Sequence, residues 1–153
     1  MINFLGNIKS KIDTKGRVNF PSTFTKQMGG DIEKKFVIKK DIFDNCLVIY
    51  TSQEWERQVA IINKNTNPYN RRHASFLRQF FKGTAELKLD SHNRVLIPAS
   101  LLEATNIKNN VQYLGQGQKI ELWASEEYEK TEMQAEEFAN LAEDIMGGDL
   151  LEL

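Results

Sequence analysis

The chain has 153 residues, 41% apolar and 27% charged, which makes roughly one domain or two modules of about 75 residues each. No stretch approaches about 18 uninterrupted apolar residues, and Met1-Ile2-Asn3-Phe4-Leu5-Gly6 lacks the features of a secretion signal, so a membrane-spanning helix is excluded and the chain reads as cytosolic. The net charge of −1 conceals an opposition: residues 1–85 hold 15 Lys+Arg against 7 Asp+Glu and residues 86–153 hold 5 against 14, which fits one surface for a polyanion and an acidic remainder.

From the N-terminus, Ile8-Lys9-Ser10-Lys11-Ile12-Asp13 alternates apolar and polar residues and predicts a half-buried strand with Ile8 and Ile12 facing in. It enters the tight turn Thr14-Lys15-Gly16, where Gly16 suits a left-handed backbone. The chain returns as Arg17-Val18-Asn19-Phe20, ended by Pro21, which cannot donate to a sheet ladder. Ser22 is expected to cap a short helix to about Lys26, stopped by Gly29-Gly30. Strands follow at Lys35–Lys39 and Cys46–Thr51. Ser52 is expected to cap a helical insertion to about Lys82, interrupted at Asn65-Thr66-Asn67-Pro68. The insertion carries six basic residues (Arg57, Lys64, Arg71, Arg72, Arg78, Lys82) and two acidic ones. Phe76, Leu77, Phe80 and Phe81 form an apolar stripe at helical spacing, which reads as core or helix–helix packing.

The pattern then repeats. Asp13-Thr-Lys-Gly-Arg17-Val18-Asn-Phe-Pro21 recurs as Asp90-Ser-His-Asn-Arg94-Val95-Leu-Ile-Pro98, displaced by 77 residues. Leu47-Val-Ile-Tyr50-Thr-Ser52-Gln-Glu-Trp55 recurs as Ile120-Glu-Leu-Trp123-Ala-Ser125-Glu-Glu-Tyr128, displaced by 73. The second copy predicts a strand over Ala85–Asp90, a turn with Asn93 in the left-handed position, a return through Ile97 to Pro98, and a helix near Ser100–Ala104. Strands at Val111–Leu114 and Ile120–Ala124 follow. Ser125 is expected to cap a longer acidic helix with Phe138, Leu141, Ala142 and Ile145 on one face, ended by Gly147-Gly148 and a frayed tail over Asp149–Leu153. The boundaries are a first module over 5–52, a helical insertion over 53–82, a second module over 83–126, and an acidic helix and tail over 127–153.

In each copy Asp and Arg sit four apart across a three-residue turn. The aspartate can lock the arginine through charge-assisted hydrogen bonds, and an anchored arginine on a hairpin tip loses less entropy when it meets a phosphate or guanine edge. The first tip, with Lys9, Lys11, Lys15 and Arg17 against Asp13, is more cationic than the second, with Lys88, Arg94 and His92 against Glu86 and Asp90.

The doubled Asp-x-x-x-Arg motif, with the opening Phe4-Leu5-Gly6 and Arg78-Gln79-Phe80-Phe81 leading into Glu86, resembles the MraZ family over roughly residues 1–145. The resemblance implies an α+β fold of two tandem AbrB-like swapped-hairpin β modules in one pseudo-twofold chain, with inserted and C-terminal helices. It implies a bacterial transcription regulator that binds double-stranded DNA upstream of the division and cell-wall gene cluster, as a ring-shaped homo-oligomer associated with the nucleoid. Asp13, Arg17, Asp90 and Arg94 are then the motif residues, with Lys15 between the first pair. The family usually carries glycine before the motif arginine, where this chain has Asn93; asparagine tolerates the same backbone. DNA contact is expected from Arg17, Lys15, Lys11, Lys9 and Arg94, and turn formation from Asp13, Gly16 and Asp90. A head-to-tail ring favours direct repeats and multiplies weak tips. No catalytic residue, metal, cofactor or small-molecule substrate is expected.

An enzyme would need a nucleophile and base such as Cys46 with His73 or His92. Cys46 lies in Cys46-Leu47-Val48-Ile49-Tyr50, a buried-strand pattern in which a thiol behaves as a small hydrophobe. One cysteine and two histidines lack a metal-ligand cluster, and Gly29-Gly30 and Gly115-Gln116-Gly117 read as turns. The division of charge also fits an oligomeric protein-binding scaffold, whose acidic helix docks a basic partner, or an RNA-binding protein, since phosphate contacts do not distinguish nucleic acids.

Overall fold

The computed structural model describes residues 2–29 and 35–151. The first repeat forms β1 (Phe4–Lys11), β2 (Arg17–Asn19), α1 (Ser22–Gln27), β3 (Lys35–Lys40), β4 (Leu47–Thr51) and α2 (Ser52–Lys64), followed by α3 (Arg71–Phe81). The second forms β5 (Ala85–Lys88), β6 (Arg94–Leu96), α4 (Ala99–Ala104), β7 (Asn110–Gly117), β8 (Lys119–Ala124) and α5 (Ser125–Glu129), followed by α6 (Ala135–Leu151). β1 starts earlier than the alternation at Ile8 marks, because buried Phe4 already pairs with the end of β7.

Among the described residues the fold is α+β, with an antiparallel six-stranded sheet in the order β1-β7-β8-β4-β3-β5 and a separate ribbon of β2 on β6. Exchanging the repeats turns that strand order into its own reverse, which defines a pseudo-twofold between β8 and β4. Each repeat lends its first strand to the other: β1 lies on β7, and β5 lies on β3. The two repeats therefore build one core.

That core lies between the inner face of the sheet and the ribbon. The sheet contributes Phe4, Phe36, Ile38, Leu47, Ile49, Leu87, Val111, Tyr113, Ile120 and Leu122, and the ribbon side contributes Val18, Phe20, Phe24, Val95 and Ile97. Burying each large side chain is worth about 1.5–3 kcal/mol. Phe20 stands 4.7 Å from Phe36 and 5.9 Å from Phe24 between ring centroids, and the Tyr113 hydroxyl donates to the Asn19 carbonyl at 2.9 Å. The ribbon is thus tied to the sheet by packing and by a directed bond. At Gly115 a Cβ would lie 2.8 Å from the Phe4 carbonyl, so the close approach of β1 to β7 needs glycine there.

The opposite face of the sheet carries α2 over β3 and β4, and α5 over β7 and β8. Trp55 of α2 stacks on Phe80 of α3 with a centroid separation of 5.7 Å, which realises the packing expected of the aromatic stripe; Phe76 and Phe81 stay partly exposed. Lys39 is buried beneath Phe80, its Nζ 4.5 Å from the ring centroid and donating to the Lys40 carbonyl, and burial lowers its pKa.

The caps differ from expectation. Pro21, not Ser22, leads into α1: its fixed φ of −57° points the chain into the helix, and its carbonyl accepts from Phe24 and Thr25. Thr51, not Ser52, caps α2, its hydroxyl accepting from the Glu54 amide, and Ala124, not Ser125, precedes α5 without a side-chain cap. The long helix expected from Ser125 is split, because α5 stops at Glu129 and α6 begins at Ala135. α6 then runs through Gly147-Gly148 to Leu151, since a helical glycine costs only about 1 kcal/mol. Gly29 takes a left-handed φ of +77° after α1; Gly30, Glu152 and Leu153 lie outside the described residues.

Candidate nucleic-acid interface

Asp13 organises its turn with both carboxylate oxygens. Oδ1 accepts from the amides of Lys15 and Arg17, each at 2.9 Å, and Oδ2 accepts from Arg17 Nε at 2.8 Å. The Asp13 amide donates to the Arg17 carbonyl at 2.9 Å, and the Gly16 amide donates back to the Asp13 carbonyl at 3.1 Å. Gly16 has a φ of +86°, and a Cβ there would sit 3.2 Å from the Ile97 carbonyl oxygen, so both backbone shape and space call for glycine.

The second repeat copies this geometry. Asp90 Oδ1 accepts from His92 N at 2.8 Å and Arg94 N at 2.9 Å, and Oδ2 accepts from Arg94 Nε at 3.0 Å. Asn93 holds the Gly16 position at a φ of +58°. The Arg17 amide beside Asp13, with further help from its guanidinium and the Lys15 amide, holds that carboxyl below its ordinary value. For Asp90 the Arg94 amide leads, followed by the His92 amide and the Arg94 guanidinium.

Each aspartate occupies only Nε of its arginine. Among the described residues no acceptor meets the Nη groups of Arg17 or Arg94, whose side chains are 32% and 28% exposed. The guanidinium is therefore clamped at its base and open at its fork, the end suited to carboxylate, phosphate or guanine.

The register of the ribbon joins the two motifs. Arg17 lies opposite Leu96, Val18 opposite Val95, and Asn19 opposite Arg94. Val18 and Val95 point into the core, so alternation turns Arg17, Asn19, Arg94 and Leu96 outward on one face. Arg17 and Arg94 are diagonal neighbours, roughly 7–8 Å apart by strand geometry. Each turn is also clasped by the opposite repeat: the Phe20 amide donates to Asn93 and the Ile97 amide to Gly16, both at 2.9 Å. The two tips expected from the repeats are one continuous surface. Asn19 and Leu96, which is 59% exposed, belong to it and escaped the motif; a step of two residues beyond each arginine was the signal.

Lys15 is exposed on the first turn, beside this face. Lys9 and Lys11 are not brought to it. Ile8 pairs with Tyr113, whose hydroxyl reaches the ribbon, so Lys9, opposite Gln112, leaves the sheet on the other side, and Lys11 follows with the same parity. The two lysines line a groove of about 750 Å³ with Asn7, Gln112, Ser125 and Tyr128.

Cys46 is fully buried and its thiol is pushed strongly up by burial, with nearby Glu121 adding to the shift, so it stays an unreactive hydrophobe. His73 Nδ1 accepts from the Asn67 amide at 2.9 Å and closes the turn between α2 and α3. Among the described residues no cluster of three His, Cys, Asp or Glu side chains is placed to hold a metal, and no helix is long and apolar enough to cross a membrane.

The family model described as "MraZ protein, putative antitoxin-like" matches residues 4–75 and again 80–147, one match to each repeat. The chain is 38% identical over 146 residues to a protein named transcriptional regulator MraZ from Bacteroides fragilis, covering 95% of this chain and 92% of that one. A protein of the same name from Bacteroides thetaiotaomicron is 37% identical over 149 residues, covering 97% and 96%. Another from Alkaliphilus oremlandii is 35% identical over 133 residues, covering 83% and 85%.

Proposed function

The chain belongs to the MraZ family, and from that premise we propose that it is a transcriptional regulator that binds duplex DNA through the outer face of the β2–β6 ribbon. The observation that carries this reading is the pair of aspartate-clamped arginines, Arg17 and Arg94, on one exposed face with their Nη groups unengaged. The major groove of B-form DNA admits a two-stranded ribbon, and an arginine fork matches the O6 and N7 acceptors of guanine. Asn19 offers an amide suited to adenine, and Leu96 an apolar surface suited to a thymine methyl. Lys15 meets a neighbouring phosphate. Lys9 and Lys11 strengthen the positive field of the N-terminal half from the other side of the sheet.

One protomer offers few cations, so its grip on DNA is weak and sensitive to salt. A ring-shaped homo-oligomer presents the face repeatedly, and direct repeats in a promoter, here that of the division and cell-wall gene cluster, engage several faces at once. Single-stranded RNA fits less well, because the exposed face carries no aromatic side chain on which bases stack.

The test is a titration of wild type, Arg17→Ala and Arg94→Ala against duplexes with one site or tandem sites, with single-stranded RNA as competitor. Each substitution weakens duplex binding on the order of 10- to 100-fold, the span of one lost bidentate contact. Tandem sites bind more tightly than one. Unchanged affinity of folded Arg17→Ala and Arg94→Ala, or equal affinity for one site and tandem sites, overturns the reading.

A further inference from the structure

α6 carries an apolar stripe that nothing among the described residues covers. Phe138, Leu141, Ile145 and Met146 are 64%, 44%, 72% and 48% exposed. Spacing of three and four residues puts Phe138, Leu141 and Ile145 on one side of the helix, the pattern of anchors that a helix lays into a groove. The same helix holds Glu136, Glu137, Glu143 and Asp144 and no lysine or arginine.

A groove of opposite character opens between α2 and α3. It measures about 300 Å³ and is lined by Ile61, Ile62, Asn65, Thr66, His73 and Phe76, of which Ile61 and Phe76 are each 42% exposed. The helices that form it, over residues 52–82, hold six basic residues and two acidic ones, and Lys64, Arg71 and Arg72, within two positions in sequence of the lining residues Asn65 and His73, are exposed.

We infer that α6 of one copy of this chain docks into the α2–α3 groove of a second copy. Two α6 helices do not cover each other, because each brings only negative charge and the like charges repel across the contact. The basic groove supplies both the apolar floor for Phe138, Leu141 and Ile145 and the opposite charge for the flanking carboxylates. The two surfaces are different patches of one protomer, so the contact is heterologous: each copy gives a helix to one neighbour and receives one from another. This inference rests on the assembly proposed above and names the surface that makes it.

The experiment reads mass in solution without DNA, by sedimentation and light scattering. Wild type sediments as an assembly. Phe138→Asp with Ile145→Asp in α6, or Ile61→Asp in the groove, weakens association by at least about 30-fold, as loss of a central anchor does, and leaves single chains of 17.6 kDa with wild-type circular dichroism. An equimolar mixture of the α6 variant and the groove variant forms pairs and nothing larger, because one intact helix meets one intact groove. Wild type that sediments as a single chain overturns both the docking and the assembly. Assembly that persists in the α6 variant, or a mixture that forms no pairs, overturns the docking alone. Arg17→Ala assembles like wild type, so a failure of DNA binding is read separately.

Discussion

Val18 and Val95, equivalent residues of the two repeats, pair directly with each other at the middle of the β2–β6 ribbon. Across the core the equivalent residues Val48 and Glu121 pair in the same way between β4 and β8. The local twofold passes between both pairs. It relates Arg17 to Arg94 and Asn19 to Leu96, so the outward face is symmetric in its arginines and asymmetric in the residues between them.

That symmetry predicts that neither arginine dominates. Arg17→Ala and Arg94→Ala should weaken duplex binding by factors within about threefold of each other, although the first tip is richer in cations. Lys15→Ala, by contrast, should lower affinity uniformly over DNA sequences and reduce the slope of log affinity against log salt by about 1. Binding isotherms at several salt concentrations measure both.

The aspartates make the turns sensitive to acid. Their carboxyls are held below the ordinary value in the folded chain, so the unfolded chain binds more protons as pH falls. The contribution is present in full above the ordinary aspartate range near about pH 4 and is lost as pH falls through the lowered folded values. Asp13→Asn with Asp90→Asn should flatten the acid limb of stability, followed as urea midpoints between about pH 6 and pH 3.

Gly16 and Asn93 hold equivalent left-handed positions and should respond differently to substitution. Gly16→Ala forces a Cβ into that backbone and toward the Ile97 carbonyl, and should cost about 1–2 kcal/mol in chemical denaturation. Asn93→Gly keeps the turn and should stay within about 0.5 kcal/mol of wild type.

Tyr113→Phe removes the bond from the sheet to the Asn19 carbonyl while preserving the ring packed against Phe20 and Phe24. A loss of about 1 kcal/mol is expected. Hydrogen exchange at Val18 and Val95 should accelerate more than at Ile49 and Ile120, since the bond holds the ribbon and not the centre of the sheet.

Much of the fold is readable from the residues. The alternation around Ile8 and Leu87, the left-handed turn positions and the prolines after each return strand mark the elements, because each acts through local backbone geometry. What local chemistry does not carry is which strands pair. Nothing in the run from Ala85 to Lys88 says that it lies on β3 of the other repeat, or that Arg17 and Arg94 converge instead of standing on separate tips. The same gap sends Lys9 and Lys11 to the wrong side of the sheet: their spacing is right for a common face with Arg17, but the turn carries the chain across the core to the ribbon. The caps escape for another reason, since Pro21 and Ala124 start helices without any side-chain bond for a motif to announce.

The exchange of first strands between the repeats also bears on how change accumulates in this fold. In a pair of identical chains every substitution would appear on both sides of the axis. Here partner and self are one polypeptide, and a substitution enters one side only. Lys15 on one side of the axis corresponds to His92 on the other, and Asn19 to Leu96, without disturbing the shared interior. The ribbon has thereby acquired a left and a right, and if it meets DNA as proposed above, it does so with a preferred direction along the duplex.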